Sequence, residues 1–177
     1  MIKSYGKINL FLRIIGKNKY LHNIQTNSLL LDLHDKISIK ETLKKKDTIK
    51  FKGKFAKYID NKSNSVKKTL TILRSLNLLN SKIKYEIIID KKIPVFSGLG
   101  GGTSNSFFIL NFFLKNKINN KVKSILEKKI GSDINLFFFK NTFQQNVVFH
   151  NIKSCKRRIF PIQQSWVALP RPHEMIS

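Results

Sequence analysis

Alternating apolar and polar positions predict that the first third of the chain is built mainly from β-strands. Segments of this kind, rich in β-branched and aromatic residues, lie at 5–15, about 27–33, 36–41 and 47–51. The segment 32–35 (Asp-Leu-His-Asp) predicts a turn between the second and third strands, and the fourth strand could pair with the third. Because side chains alternate along a strand, Lys7 and Asn9 are expected to share one face.

The apolar period changes to that of a helix after residue 65. Valine and leucine at helical spacing predict an amphipathic helix over 66–79. The elements predicted after it are a strand at 82–90, helices at 105–115 and 119–130, a turn into a strand at 131–138, and a last strand at 144–149. Strands followed by helices predict an α+β fold with an antiparallel or mixed sheet and packed helices.

A glycine-rich motif, PVFSGLGGGTSNS at 94–106, lies between the strand at 82–90 and the next helix. Glycine lets backbone N–H groups approach an anion closely, because no Cβ intervenes. The N-terminus of the helix adds partial positive charge, and Thr103 and Ser104 can cap it and offer hydroxyls. The motif therefore predicts a phosphate-binding loop, although it lacks the Gly-Lys-Ser/Thr of a Walker A loop. A flexible turn with a Ser/Thr helix cap is the alternative. The residues assigned to the loop are Pro94, Val95, Phe96, Ser97, Gly98, Leu99, Gly100, Gly101, Gly102, Thr103 and Ser104.

The chain is strongly basic, with 34 Lys and Arg against 10 Asp and Glu and a net charge of +24. Such a charge attracts polyanions with steep salt dependence. The lysines are scattered, however, and Lys, Asn, Ile and Phe are abundant together, as codon bias in a low-GC genome also produces. Both interpretations stay open, and either one attracts a phosphorylated substrate. Lys91, just before the loop, is either a nucleotide contact or a solvated lysine.

Several classes of protein are excluded by composition. The single cysteine excludes an internal disulfide and a cysteine-cluster metal site. No apolar run reaches the length of a transmembrane helix, and the first residues lack the cleavage site of a signal peptide. A cytoplasmic protein with no membrane partner is therefore expected.

Four blocks of the chain resemble, in order, the motifs of the GHMP kinases, the family of galactokinase and of homoserine, mevalonate and phosphomevalonate kinases. These blocks are YGKINLFL at 5–12, YLHNIQT at 20–26, the glycine loop, and IGSDI at 130–134. The resemblance covers about residues 5–149. It implies a ribosomal protein S5 domain 2-like, ATP-binding N-terminal domain over 1–149 and transfer of phosphate from ATP to a small alcohol.

The resemblance also implies residue roles. Lys7 and Asp133 would be catalytic, and we expect them to meet. Asn9 would orient the reacting groups, and His22 would contact the cytosine of a substrate that carries cytidine diphosphate. Mg²⁺ would arrive with ATP, held by phosphates and a hydroxyl of Thr103 or Ser104, and no metal site made by the protein alone is predicted. Each role has a plainer alternative: a solvated lysine, a turn or cap for Asp133, a strand-edge contact for Asn9 and a surface turn for His22.

Composition changes abruptly near His150. Residues 150–177 hold the only Trp, the only Cys and three of the four prolines, without clear periodicity. Family members have a second half with another glycine motif, which is not found in this sequence. We therefore expect a frameshifted or truncated product with a poorly ordered tail, or else a tail that binds a partner. The alternatives for function are another GHMP kinase acting on a small alcohol, a non-catalytic basic protein that binds nucleic acid, and an inert remnant.

Overall fold

The computed structural model describes residues 1–17, 22–60, 63–115, 118–131, 133–138, 142–146 and 151–155. Within these ranges the chain forms six strands and four α-helices, together with a short 3₁₀ turn at Ala56–Tyr58. The strands are β1 Ile2–Lys17, β2 His22–Thr42, β3 Thr48–Lys52, β4 Lys84–Asp90, β5 Thr142–Asn146 and β6 Asn151–Cys155. The helices are α1 Ser65–Ser75, α2 Gly101–Leu114, α3 Asn120–Ile130 and α4 Ile134–Phe137.

The sheet is organised around the long strand β2. β1 runs antiparallel along one side of β2. On the other side, the first half of β2 pairs with β5 and the second half with β4, both antiparallel. β3 lies beyond β4 and runs parallel to it. The mixed sheet and packed helices confirm the predicted α+β fold.

One hydrophobic cluster joins the helices to the sheet. In β4 every second residue is buried, so that Tyr85, Ile87 and Ile89 face inward. They meet apolar residues of α1 and α2, including Leu73 and Leu110, which are fully buried. Each such side chain contributes about 1.5–3 kcal/mol relative to an exposed position. This packing fixes the start of α2 against the sheet.

Three predictions of local structure are wrong. The turn at 32–35 does not form, because β2 continues through it, with residues 31–33 opposite the single residue Gly6. β3 pairs with β4 rather than with β2, because α1 provides the crossover that a parallel pair requires. Residues 134–137 form helix α4 rather than a strand. Its buried residues lie within a single helical turn, a stretch too short for its period to be recognised.

The predicted tail contains one regular element. β6 lies within 150–177 and pairs antiparallel with β5, and the expectation of a poorly ordered tail stays a prediction. Residues 156–177 lie outside the described residues, as does part of the strand predicted at 144–149. The predicted domain boundary after residue 149 stays a prediction.

β1 carries exposed aliphatic side chains at alternate positions, which we call the β1 apolar strip. Ile8, Leu10, Leu12 and Ile14 are each at least 40% exposed. Within the described ranges β1 pairs with β2 alone, so its other edge has no strand partner there. Among the helices that can be described, none is both long and apolar enough to cross a bilayer.

Candidate active site

The glycine loop connects β4 to α2 and leaves the first turn of α2 uncapped by any side chain. α2 begins at Gly101, with Gly100 as its N-cap in the left-handed conformation at φ 67°. The first N–H groups of a helix have no partner within the helix, and the helix dipole makes this end positive. The backbone of Gly101, Gly102 and Thr103 can therefore receive an anion.

Close packing against neighbouring side chains explains why two positions of the loop are glycine. A Cβ on Gly100 would lie 3.2 Å from Cγ of Lys7. A Cβ on Gly101 would lie 2.9 Å from Cγ2 of Ile93, a distance that real Cβ atoms essentially never show. The loop thus lies directly on Lys7 and Ile93, which a larger residue at either position would disturb.

The two hydroxyls expected to cap α2 lie inside its first turn instead, so the prediction of a Ser/Thr cap is wrong. The hydroxyl of Ser104 is buried and donates to the carbonyl of Tyr5 at 2.6 Å. It also lies 2.8 Å from the hydroxyl of Ser4. Ser104 therefore joins the loop to β1, and Thr103, which is only partly buried, is the better placed of the two to reach a ligand.

The start of α1 also lies against the loop. Asn64 caps α1 by accepting from the N–H of Lys67 at 2.9 Å, and the hydroxyl of Ser65 donates to the carbonyl of Gly102 at 2.8 Å. Two helix N-termini therefore adjoin at this place, and both contribute positive potential.

Lys7 and Asp133 meet beside the loop, as predicted. Nζ of Lys7 lies 3.2 Å from Oδ2 of Asp133. The Lys7 side chain is only 5% exposed, whereas that of Asp133 is 46% exposed. The N–H of Lys7 donates to the carbonyl of Leu99 at 2.9 Å, which fastens β1 to the loop. A buried ammonium and an accessible carboxylate thus lie next to the start of α2.

Asn9 fixes the Lys7 ammonium, and the predicted common face of these two residues is confirmed. Its Oδ1 accepts from Nζ of Lys7 at 3.2 Å and from the hydroxyl of Ser28 at 2.6 Å. The sequence did not indicate Ser28, whose place opposite Asn9 depends on the register of β1 and β2.

The structure places two other predicted site residues, His22 and Phe96, but it defines only the backbone of His22. The backbone of His22 opens β2 opposite Lys17, but its side chain lies outside the described residues. Phe96 has a left-handed φ of 62°, and its side chain is 95% exposed. A bulky residue in this conformation is strained.

Lys91 is neither a solvated lysine nor exposed to a ligand. It is 3% exposed and forms an ion pair with Asp35, which is fully buried. Asp35 was assigned to a turn. The sequence nevertheless contains a sign that Asp35 is buried. Residues 29, 31, 33 and 37 are apolar, and residue 35 belongs to the same alternating series.

The chain is similar to kinases of small molecules. It is 46% identical over 133 residues to 4-diphosphocytidyl-2-C-methyl-D-erythritol kinase of Pelagibacter ubique, covering 75% of this chain and 46% of that protein. The kinase of the same name from Finegoldia magna is 31% identical, and the match covers 78% of this chain and 49% of that protein. Among solved structures, a 4-(cytidine 5'-diphospho)-2C-methyl-D-erythritol kinase superposes with TM-score 0.64 at 18% identity, covering 87% of this chain and 54% of the other. A mevalonate kinase superposes with TM-score 0.59 at 19% identity, covering 88% of this chain and 55% of the other.

The chain belongs to the GHMP kinase family. No family model matches it. This GHMP kinase chain spans about half the length of the curated relatives it matches.

Two glycines of the loop allow the effect of packing against Lys7 to be separated from that of backbone strain. Gly98 and Gly100 both have positive φ, but a Cβ would meet open space at Gly98 and the Lys7 side chain at Gly100. We expect Gly98→Ala and Gly100→Ala each to lower the free energy of unfolding by about 1–2 kcal/mol, because both force alanine into the left-handed region.

Only Gly100→Ala is expected also to lower kcat, since only it displaces Lys7. Denaturant unfolding and steady-state kinetics on the two purified variants would check this. Equal kcat values for the two would show that the contact between Gly100 and Lys7 does not matter for catalysis.

Proposed function

We propose that this chain forms the ATP-binding and catalytic half of a kinase that phosphorylates the C2 hydroxyl of 4-diphosphocytidyl-2-C-methyl-D-erythritol, a step in non-mevalonate isoprenoid precursor synthesis. The carrying observation is the contact between Lys7 and Asp133 beside the uncapped start of α2. The name of the Pelagibacter ubique relative supports this substrate over another small alcohol.

In this reaction the alcohol oxygen forms a bond to the γ-phosphorus of ATP. The bond from that phosphorus to the β–γ bridging oxygen breaks, and ADP leaves with the electron pair. Asp133 accepts the proton of the alcohol as general base. Lys7 stabilises negative charge on the reacting oxygens, and Asn9 keeps its ammonium in place.

The glycine loop is assigned to the phosphates of ATP. Backbone N–H groups at the start of α2 would donate to phosphate oxygens, and the adjoining start of α1 would add favourable potential. Phosphoryl transfer depends mainly on such positioning and charge stabilisation.

Mg²⁺ fits this arrangement as an ion that accompanies ATP. The described residues include no group of three or more His, Cys, Asp or Glu that could hold a metal. The hydroxyl of Thr103 is an oxygen donor of the type that Mg²⁺ prefers, and it would hold the ion together with the phosphates of ATP. When bound, the ion would neutralise charge on the phosphates.

Three further expectations remain part of this proposal. They are a contact of His22 with cytosine, an N-terminal ATP-binding domain over 1–149 and a cytoplasmic location. The net charge of +24 fits attraction of a phosphorylated substrate, so no separate nucleic-acid-binding role is proposed.

The deciding test is ATP-dependent phosphorylation of 4-diphosphocytidyl-2-C-methyl-D-erythritol by the purified chain. One arm uses the chain alone. A second arm adds, as a separate polypeptide, the part of the Pelagibacter ubique relative that this chain does not match. We expect ATP-dependent turnover in at least the second arm. Absence of turnover in both arms, or faster turnover of homoserine or mevalonate, would contradict the proposal.

A further inference from the structure

A buried ion pair holds the segment through which β4 reaches the glycine loop. The carboxylate of Asp35, on β2, uses one oxygen for the ammonium of Lys91. Its other oxygen accepts the backbone N–H groups of Lys92 at 2.8 Å and Ile93 at 2.9 Å. Pro94, the first residue of the loop, follows directly. One carboxylate therefore fixes three consecutive residues at the base of the loop.

The ammonium of Lys91 lies beneath the first residue of α2. A Cβ on Gly101 would be 3.4 Å from Nζ of Lys91. Lys91 is 3% exposed and Asp35 is fully buried, so water screens neither charge. The positive end of the pair thus faces the loop, and the negative end lies behind it in the sheet.

This placement is poorly explained by folding alone. The N-terminus of a helix carries about half a positive charge, so a cation beneath it is repelled. Buried ion pairs also contribute little net stability, because desolvation offsets their attraction. An anion bound on the other side of the loop would be attracted both by the helix dipole and by the ammonium.

We propose that Asp35 and Lys91 are a positioning pair for the phosphates of ATP. The pair fixes the base of the glycine loop and holds a positive charge behind it, so the loop is arranged for the triphosphate before ATP binds. The inference rests on the proposed function, because it names ATP as the ligand. Lys91 acts through the loop and touches no reacting atom.

The test removes both charges while retaining the hydrogen bonds. In the double variant Asp35→Asn with Lys91→Gln, the asparagine carbonyl can still accept from the backbone, and its amide can donate to the glutamine. Calorimetric titration would give Kd for ATP, ADP, AMP and adenosine. We expect Kd for ATP to rise about tenfold, as for loss of one partly compensated charge a few ångströms away. The rise should shrink with each phosphate removed and vanish for adenosine.

Two controls separate this role from a structural one. Lys92→Gln removes one lysine charge, as Lys91→Gln does, but at the exposed neighbouring residue, and it should leave Kd for ATP near that of the wild type. Melting temperature should be similar in the double variant and the wild type, and KM for ATP should change more than kcat. A second neutral pair, Asp35→Asn with Lys91→Met, is used if the first does not fold.

Each outcome decides the matter. An unchanged Kd for ATP in a folded neutral pair would overturn the inference and leave the proposed function intact. Equal weakening for ATP and adenosine, with a lower melting temperature, would assign the pair to folding alone and overturn the inference as well. Failure of the wild-type chain to bind ATP would overturn both proposals.

Discussion

Replacing Asp133 with asparagine is expected to lower kcat by about 10²–10⁴-fold, the usual contribution of a general base. Asparagine keeps the size of the side chain but cannot take the alcohol proton. The carboxylate is 46% exposed, so its contact with Lys7 contributes little to folding. KM for ATP should change less than kcat, because the loop that holds the phosphates is untouched. Steady-state kinetics in the arm that shows turnover would measure both values.

Asp32 offers a matched control for this substitution. Its side chain is 54% exposed and lies on β2. Asp32→Asn makes the same chemical change and should leave kcat unaltered. If Asp133→Asn retained the activity of that control, Asp133 could not be the base, and the proposed mechanism would have to be abandoned.

Replacing Lys7 with methionine is expected to lower kcat by about 10²–10³-fold, as removal of one electrostatic stabiliser does in other enzymes. Methionine retains the apolar stem that packs beneath Gly100. Asp133 remains hydrated, and Asn9 keeps its hydrogen bond to Ser28, so no buried polar group loses its last partner. The variant should therefore fold, and its melting temperature would show this.

Lys3 supplies the comparison for the lysine variant, since it is exposed and lies on the same strand. Lys3→Met should be indistinguishable from wild type in kcat. If the Lys7→Met enzyme had normal kcat but bound ATP more weakly, Lys7 would bind the nucleotide and would not stabilise the reacting oxygens.

Local sequence patterns predicted those structural features that depend on residues close together in the chain. The strand predicted at 82–90 corresponds to β4, and period two placed Lys7 and Asn9 on one face. The meeting of Lys7 with Asp133 came from family resemblance, because 126 residues separate them and no local period relates the two.

Other features depended on contacts between distant segments. β3 pairs with β4 because α1 forms the crossover between them, and the residue pattern of a strand does not reveal such a crossover. Asp35 resembles a turn residue because Asp32 and His34 precede it closely. Burial of its carboxylate becomes favourable only when the 91–93 segment supplies partners. A buried carboxylate of this kind is recognised from the sequence only by its place in an apolar series.

The β1 apolar strip affects how the protein behaves in solution. Within the described residues β1 is an aliphatic edge strand, which is a template for pairing with another chain, and proteins usually blunt such edges with charge. Here the net charge of +24 keeps copies apart over long distances. At 0.15 M salt, repulsion extends only about 8 Å, so strands of two molecules can come together. Added salt commonly keeps basic proteins soluble by releasing bound polyanions. For this protein, added salt would instead favour aggregation, and a buffer of low ionic strength would keep it in solution.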